Sequence, residues 1–218
     1  RRLVRLAERA ARCAAPSATS SRAAHGRRRS LGAETLEVRR LLAADPLPGF
    51  EGAAIAVVVD DSNRLCLTSQ GVGNDALRIG FDPGDSSFML LELASGSLAT
   101  DIEGAVATGP GTLRVPRTAF GSGPVVVDLG RGNDELRLDF ASGAFSVQYA
   151  GGELDESTGD RLIVSGNEFA RGVFDFSTEG APHAGAITLE QAAASSVTIA
   201  FTGLEPIDVS GSDIAQLV

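Results

Sequence analysis

The residues best placed to do chemistry are two aspartates that recur in one short string. Gly71-Val72-Gly73-Asn74-Asp75-Ala76-Leu77-Arg78-Ile79 returns further along the chain as Gly130-Arg131-Gly132-Asn133-Asp134-Glu135-Leu136-Arg137-Leu138, with six of nine positions identical. Glycine and asparagine accept left-handed backbone, so each string reads as a tight turn whose carboxylate leads straight into a strand. In such a turn the aspartate either bonds local backbone or joins the turn carbonyls around a hard cation. The same offset carries Asp101 onto Asp160, and Gly151-Gly152-Glu153-Leu154-Asp155 with Gly159-Asp160 follows the second copy. Asp75, Asp134, Asp101 and Asp160 are therefore the candidate metal ligands. A strand, not a helix, follows Gly71-x-Gly73, so the helix N-terminus that would hold a phosphate is missing.

Little else in the chain suits catalysis. Two His and two Cys in 218 residues cannot supply a zinc site or a disulfide framework, and leave almost nothing for a Ser/His/Asp or Cys/His arrangement. The acid pairs Asp60-Asp61 and Asp155-Glu156 point to opposite faces if in strands and form solvated turns if in loops. His183 follows Pro182 in a loop, and Cys66 sits between Leu65 and Leu67 as an inert strand thiol. The expectation is a protein that is not an enzyme. Every basic residue is Arg, and the chain has 26 Gly and no Trp. That is a coding bias and carries no chemistry.

Charge divides the chain. Residues 1–45 hold 11 Arg against 4 acids, net +7, whereas residues 46–218 hold 8 Arg against 24 acids, net −16. The change falls at Asp45-Pro46-Leu47-Pro48-Gly49, where Pro and Gly interrupt any helix, and the domain border is placed there. The Arg-, Ala- and Ser-rich head reads as a targeting segment, largely disordered or weakly helical. It has no apolar stretch of the length a secretory core or a membrane span requires. Arg27-Arg28-Arg29 is the one feature that would suit nucleic acid, and the expectation for the whole is no nucleic-acid partner.

The body reads as strand after strand. Short apolar or alternating runs such as Ala54–Val59, Arg64–Leu67, Ala76–Phe81, Phe88–Leu93, Glu135–Leu138, Arg161–Val164 and Val197–Phe201 are separated by Gly, Asp, Asn, Ser and Pro. The class is all-β, and the repeat divides the body into units of about 71–129 and 130–188. A unit that short suits a few stacked coils better than an independent sandwich, so a parallel β-solenoid-like array is expected, with a β-sandwich as the alternative.

Three resemblances attach to these residues. The turns are similar to the calcium nonapeptide of RTX proteins, with Gln70 and Leu129 standing where its first glycine would be. The resemblance implies bound Ca2+ at Asp75 and Asp134, with a stacked neighbour completing the six to eight oxygens calcium requires. Residues Glu34-Thr35-Leu36-Glu37-Val38-Arg39-Arg40-Leu41-Leu42-Ala43-Ala44 resemble the N-terminal LEPR-XLL-type motif of planctomycete surface and secreted proteins. Ile199-Ala200-Phe201-Thr202-Gly203-Leu204-Glu205-Pro206-Ile207 resembles the "FTGLEPI" segment of the same proteins. This likeness implies a secreted or cell-surface protein, the N-terminal part of a longer chain, in a structural or adhesive role. Glu34, Leu36, Glu37, Arg39, Arg40, Leu41 and Leu42 would then address export or sorting machinery, and a cell-surface or matrix component would be the partner.

Overall fold

Alternation of apolar and polar residues sets the strands. In Glu135-Leu136-Arg137-Leu138-Asp139 the leucines are fully buried while Glu135, Arg137 and Asp139 keep solvent contact, the two-residue period of a sheet with one wet face. The computed structural model describes residues 52, 54–152, 159–176, 183–191, 195–204 and 207–215. Fifteen strands run through them: β1 (Ile55–Val59), β2 (Leu65–Ser69), β3 (Ala76–Phe81), β4 (Phe88–Leu93), β5 (Leu98–Thr100), β6 (Val106–Gly109), β7 (Thr112–Pro116), β8 (Val125–Asp128), β9 (Glu135–Asp139), β10 (Val147–Ala150), β11 (Arg161–Phe169), β12 (Arg171–Phe176), β13 (Gly185–Glu190), β14 (Ser196–Thr202) and β15 (Ile207–Ile214). A single 3-10 turn, Arg117–Ala119, is the only helical element among the described residues. The fold is all-β.

The strands form an eight-stranded sheet, β12-β13-β14-β10-β8-β2-β1-β5, and a seven-stranded sheet, β15-β11-β9-β3-β4-β7-β6. Five times the chain crosses from the first to the second, and four of these crossings, β2 to β3, β8 to β9, β10 to β11 and β14 to β15, form a set. Within each sheet the strands of these four crossings lie side by side and parallel, so each crossing stacks on the next as a rung. The spacing of the sequence repeat is the register of one such pair, Ala76 beside Glu135, and the next rung follows at less than half that spacing, Glu135 beside Arg161. Residues 130–188 therefore contain the second-sheet strands of two rungs, β9 and β11.

A parallel array throughout, as the repeat suggested, is not what forms. The sheets are mixed, because the chain between rungs is long enough in two places to fold back on itself. After β3 it returns antiparallel as β4 and then builds β7 and β6. After β11 it makes the β12–β13 hairpin, and β13 runs antiparallel to β14. Antiparallel neighbours need only a short turn, as between β3 and β4 and between β13 and β14, whereas parallel neighbours in one sheet are joined by a crossover through the other.

One apolar core lies between the sheets. Leu77, Leu136 and Leu162 form one row across the seven-stranded sheet, and Ile79, Leu138 and Val164 the next. Leu67, Val127, Tyr149 and Phe201 form a facing row in the other sheet. Where β3, β9 and β11 end, Phe81, Phe140, Phe145 and Phe169 close the core through edge-to-face contacts with ring centroids 5.2–6.0 Å apart. Leu136→Ala, at the centre of the leucine row, should cost about 2–5 kcal/mol. Urea unfolding checks this through a fall in midpoint at unchanged slope.

Candidate functional site: an aspartate ladder at the turn edge

Asp75, Asp134 and Asp160 each stand immediately before the first residue of β3, β9 and β11, and the parallel register places them one above another. The Asp134 carboxylate accepts the backbone N–H of Asp75 at 2.7 Å, and the Asp160 carboxylate accepts that of Asp134 at 2.7 Å. Main-chain bonds run the opposite way, with Glu135 N–H to the Asp75 carbonyl at 2.8 Å and Arg161 N–H to the Asp134 carbonyl at 2.7 Å. One residue earlier, the Asn74 side-chain oxygen accepts Asn133 N–H at 2.9 Å. Side chains from both rungs thus hold the backbone of the other. These bonds are shielded from water, where leaving either N–H without its acceptor would be costly. Asp134 and Asp160 are 1 % and 0 % exposed, and Asp75 is 9 % exposed.

Glycines make the stack close enough. At Gly132, with φ +130°, a Cβ would lie 2.5 Å from the Gly73 carbonyl oxygen. At Gly151 a Cβ would collide with the Asp160 carboxylate. The Gly-x-Gly-Asn-Asp string is thus a stacking motif, in which glycine admits the neighbouring backbone and the aspartate binds it.

The ladder starts from a shielded carboxylate. Burial pushes the Asp75 carboxyl above its ordinary range, and the hydrogen bond from the Ser69 hydroxyl, 2.8 Å away, offsets this only in part. Asp60 behaves in the opposite sense. Burial alone would raise it, but the N–H groups of Arg64 and Ser62 and the Arg64 guanidinium together hold it below the ordinary range.

The expected fourth ligand is elsewhere. Asp101 follows β5, which pairs parallel with β1 and so runs antiparallel to β2. Its carboxylate therefore lies at the edge where β2 begins, exposed beside a shallow cleft lined by Val59, Ile102, Glu103, Thr118 and Ala119. Asp160 stacks on Asp134 at a much shorter offset than the repeat, and the equivalence with Asp101 fails because the first insertion contributes β4 to β7 instead of a rung. The structure brings together Asp75, Asp134 and Asp160. Among the described residues no group of three or more His, Cys, Asp or Glu is arranged to hold a metal ion. Glu34, Leu36, Glu37, Arg39, Arg40, Leu41 and Leu42 lie outside the described residues, as do Asp155 and Glu156.

Two features escaped the sequence reading although the repeat contained them. Asn74 and Asn133 are identical positions whose backbone and side chain meet across rungs. Arg78, identical to Arg137, lies on the outer face of the seven-stranded sheet and bridges Glu92 and Asp139. Arg161 continues that charged face to Asp208 at 2.9 Å and Glu135 at 3.7 Å. The cross-strand register that pairs them is not visible in composition.

Ladder and core define the class: an all-β stack of rungs in two mixed sheets. No family model matches the chain, and no curated protein or solved structure matches it.

Asp134→Ala strips an acceptor from a buried N–H and should cost about 1–3 kcal/mol, whereas Asp134→Asn, which keeps an acceptor, should cost less. Chemical denaturation of the two variants side by side is the check. A raised carboxyl pKa favours the folded state below the ordinary carboxylate range and loses that contribution as pH climbs through the raised value. Asp75→Asn should therefore gain melting temperature relative to the parent at pH 7, with the gain vanishing near pH 3. For Asp60 the sign reverses: its contribution is present at pH 7 and lost as pH falls through its depressed value. Asp60→Asn should be less stable at pH 7, with the gap closing in acid.

Proposed function

We propose that this chain is a non-catalytic, exported structural or adhesive repeat module of a bacterial cell surface or extracellular matrix. The observation that carries this reading is the use made of its carboxylates. Those buried at the turn edge hold backbone to backbone, and many of those on the outer face of the seven-stranded sheet pair with Arg78, Arg114, Arg137 and Arg161. Such an investment serves rigidity and a solvated, charged face. No helix of the described residues is long and apolar enough to cross a membrane. The likeness of residues 34–44 to a planctomycete sorting motif supports export, with the export or sorting machinery as the first partner.

The test joins residues 1–45 to a reporter enzyme in a planctomycete host and follows where it accumulates. The reading expects the reporter at the cell surface or in the medium, and retention inside after Arg39→Ala, Arg40→Ala and Leu41→Ala. Equal distribution of both fusions would overturn it.

A calcium-set module is the second reading, favoured by the stacking of Asp75, Asp134 and Asp160 on one edge. Thermal melting of the full chain with millimolar calcium and then with chelator separates the two. The scaffold reading expects the same midpoint in both. A midpoint that rises with calcium, and loses the rise in Asp75→Ala and Asp134→Ala, moves the assignment to the ion.

A further inference from the structure

The two sheets do not end together. Past the last rung the eight-stranded sheet continues by β13 and β12, whereas the seven-stranded sheet stops at β15. Beside β15 this leaves a slot two strands wide, roughly 10 Å at about 4.8 Å per strand. The roof of the slot is apolar. Phe174 stands opposite Ile187 of the core, and Phe176 reaches the Phe201 ring, 6.1 Å away, past Gly185, where a side chain would collide with that ring. Phe176 is nevertheless 60 % exposed. The wall of the slot is β15, eight residues that pair among the described residues with β11 alone, so that one row of N–H and C=O groups stays open. Its inward residues Ile207 and Val209 are only partly buried. An open edge under an apolar roof is a template for an added strand.

Strand order and charge select what fits. A two-fold pairing of β15 with the β15 of a second copy would put the copy's β14 where β13 already stands, because the eight-stranded sheet runs on past β15. Head-to-tail pairing of β15 with a copy's β6 fails in the same way. Beyond its first rung the copy carries three strands in one sheet and two in the other, so its β5 would fall on β12. The slot therefore admits a strand that brings no second sheet with it. On the outer face, at the far end of β15, Asp213 stands directly beside Glu168 in register. Neither enters an ion pair among the described residues, and like charges so placed repel. A cation on the outward face of the incoming strand relieves that repulsion.

We propose that the β15 edge takes up an extended segment of another protein as an antiparallel strand. The segment presents apolar residues inward, beneath Phe174 and Phe176, and an arginine or lysine outward beside Asp213. Antiparallel pairing is the more stable of the two senses, and it places the cation toward the N-terminal end of the incoming strand. Alternation does the rest, since one face of a strand can be apolar while the other carries the charge. The inference stands on the edge, the phenylalanine roof and the acid pair, and not on export: the reporter fusion can fail while the slot binds, and the reverse.

The probe is a capped synthetic hexapeptide, arginine first and then valine and threonine in alternation, and the readout is hydrogen exchange of the full chain with and without it. The peptide should slow the β15 amides that point away from β11 about tenfold and leave β6, an edge strand at the opposite end, unchanged. Phe176→Ser should abolish that protection. Asp213→Asn with Glu168→Gln should raise the peptide concentration required about fivefold. Exchange in β9 that matches the parent shows that both variants are folded. Absence of protection overturns the proposal, as does equal protection of β6 or equal binding of a peptide led by glutamate. Two results without peptide also overturn it: β15 protection equal to that of β9 at high dilution, which means that the chain fills its own edge, and protection that grows with protein concentration, which assigns the edge to a second copy.

Discussion

The bond on which the rest depends is the one from an aspartate carboxylate to the backbone N–H of the neighbouring rung. A one-residue slip between parallel strands would turn every core leucine to solvent. The carboxylates of Asp134 and Asp160 prevent this by binding the N–H that precedes the adjacent strand, so the register is set at the first residue of β3, β9 and β11. Everything inward follows. Leu77, Leu136 and Leu162 fall into one row only if Asp75, Asp134 and Asp160 already stand in theirs.

The two edges of the stack solve opposite problems. At the turn edge the chain must reverse within a few residues while its polar backbone stays buried, so glycine gives room and aspartate and asparagine give bonds. At the other edge the chain returns over longer connections, and phenylalanines at the strand ends fill the gap. Because specificity resides in the turn edge, the return edge tolerates insertion. Both insertions start there, one becoming β4 to β7 and the other the β12–β13 hairpin. Each adds strands to an existing sheet without disturbing the four stacked crossings.

This division also explains the chemical character of the molecule. Its deepest ionisable groups are engaged in holding backbone, and its outer charges are interleaved arginines and acids along one sheet. Exposed pairs of that kind contribute little stability individually, but they keep a broad sheet face solvated and resistant to indiscriminate association.

Much of this was legible in the sequence, for local reasons. Period-two alternation marked the strands, and the identity of Gly71–Ile79 with Gly130–Leu138 marked two rungs as equivalents, because a stacking turn demands the same residues each time it occurs. Asp75 and Asp134 were legible as the chemically committed positions. What they commit to was not, since a carboxylate in a Gly-Asn-Asp turn can bind its own backbone, an ion or a neighbour, and only the neighbour's placement decides. Asp160 was found by the wrong equivalence, with Asp101, because a constant period was assumed where the step from Asp134 to Asp160 is less than half that from Asp75 to Asp134. The mixing of parallel and antiparallel strands was beyond reach for the same reason: whether a long connection folds into a hairpin is settled by the sheet edge it meets. The sequence by itself determined the class, the turns and the inward faces, which are properties of neighbouring residues. Tertiary structure decided the partners of each carboxylate and the order of the strands, which depend on residues far apart in the chain.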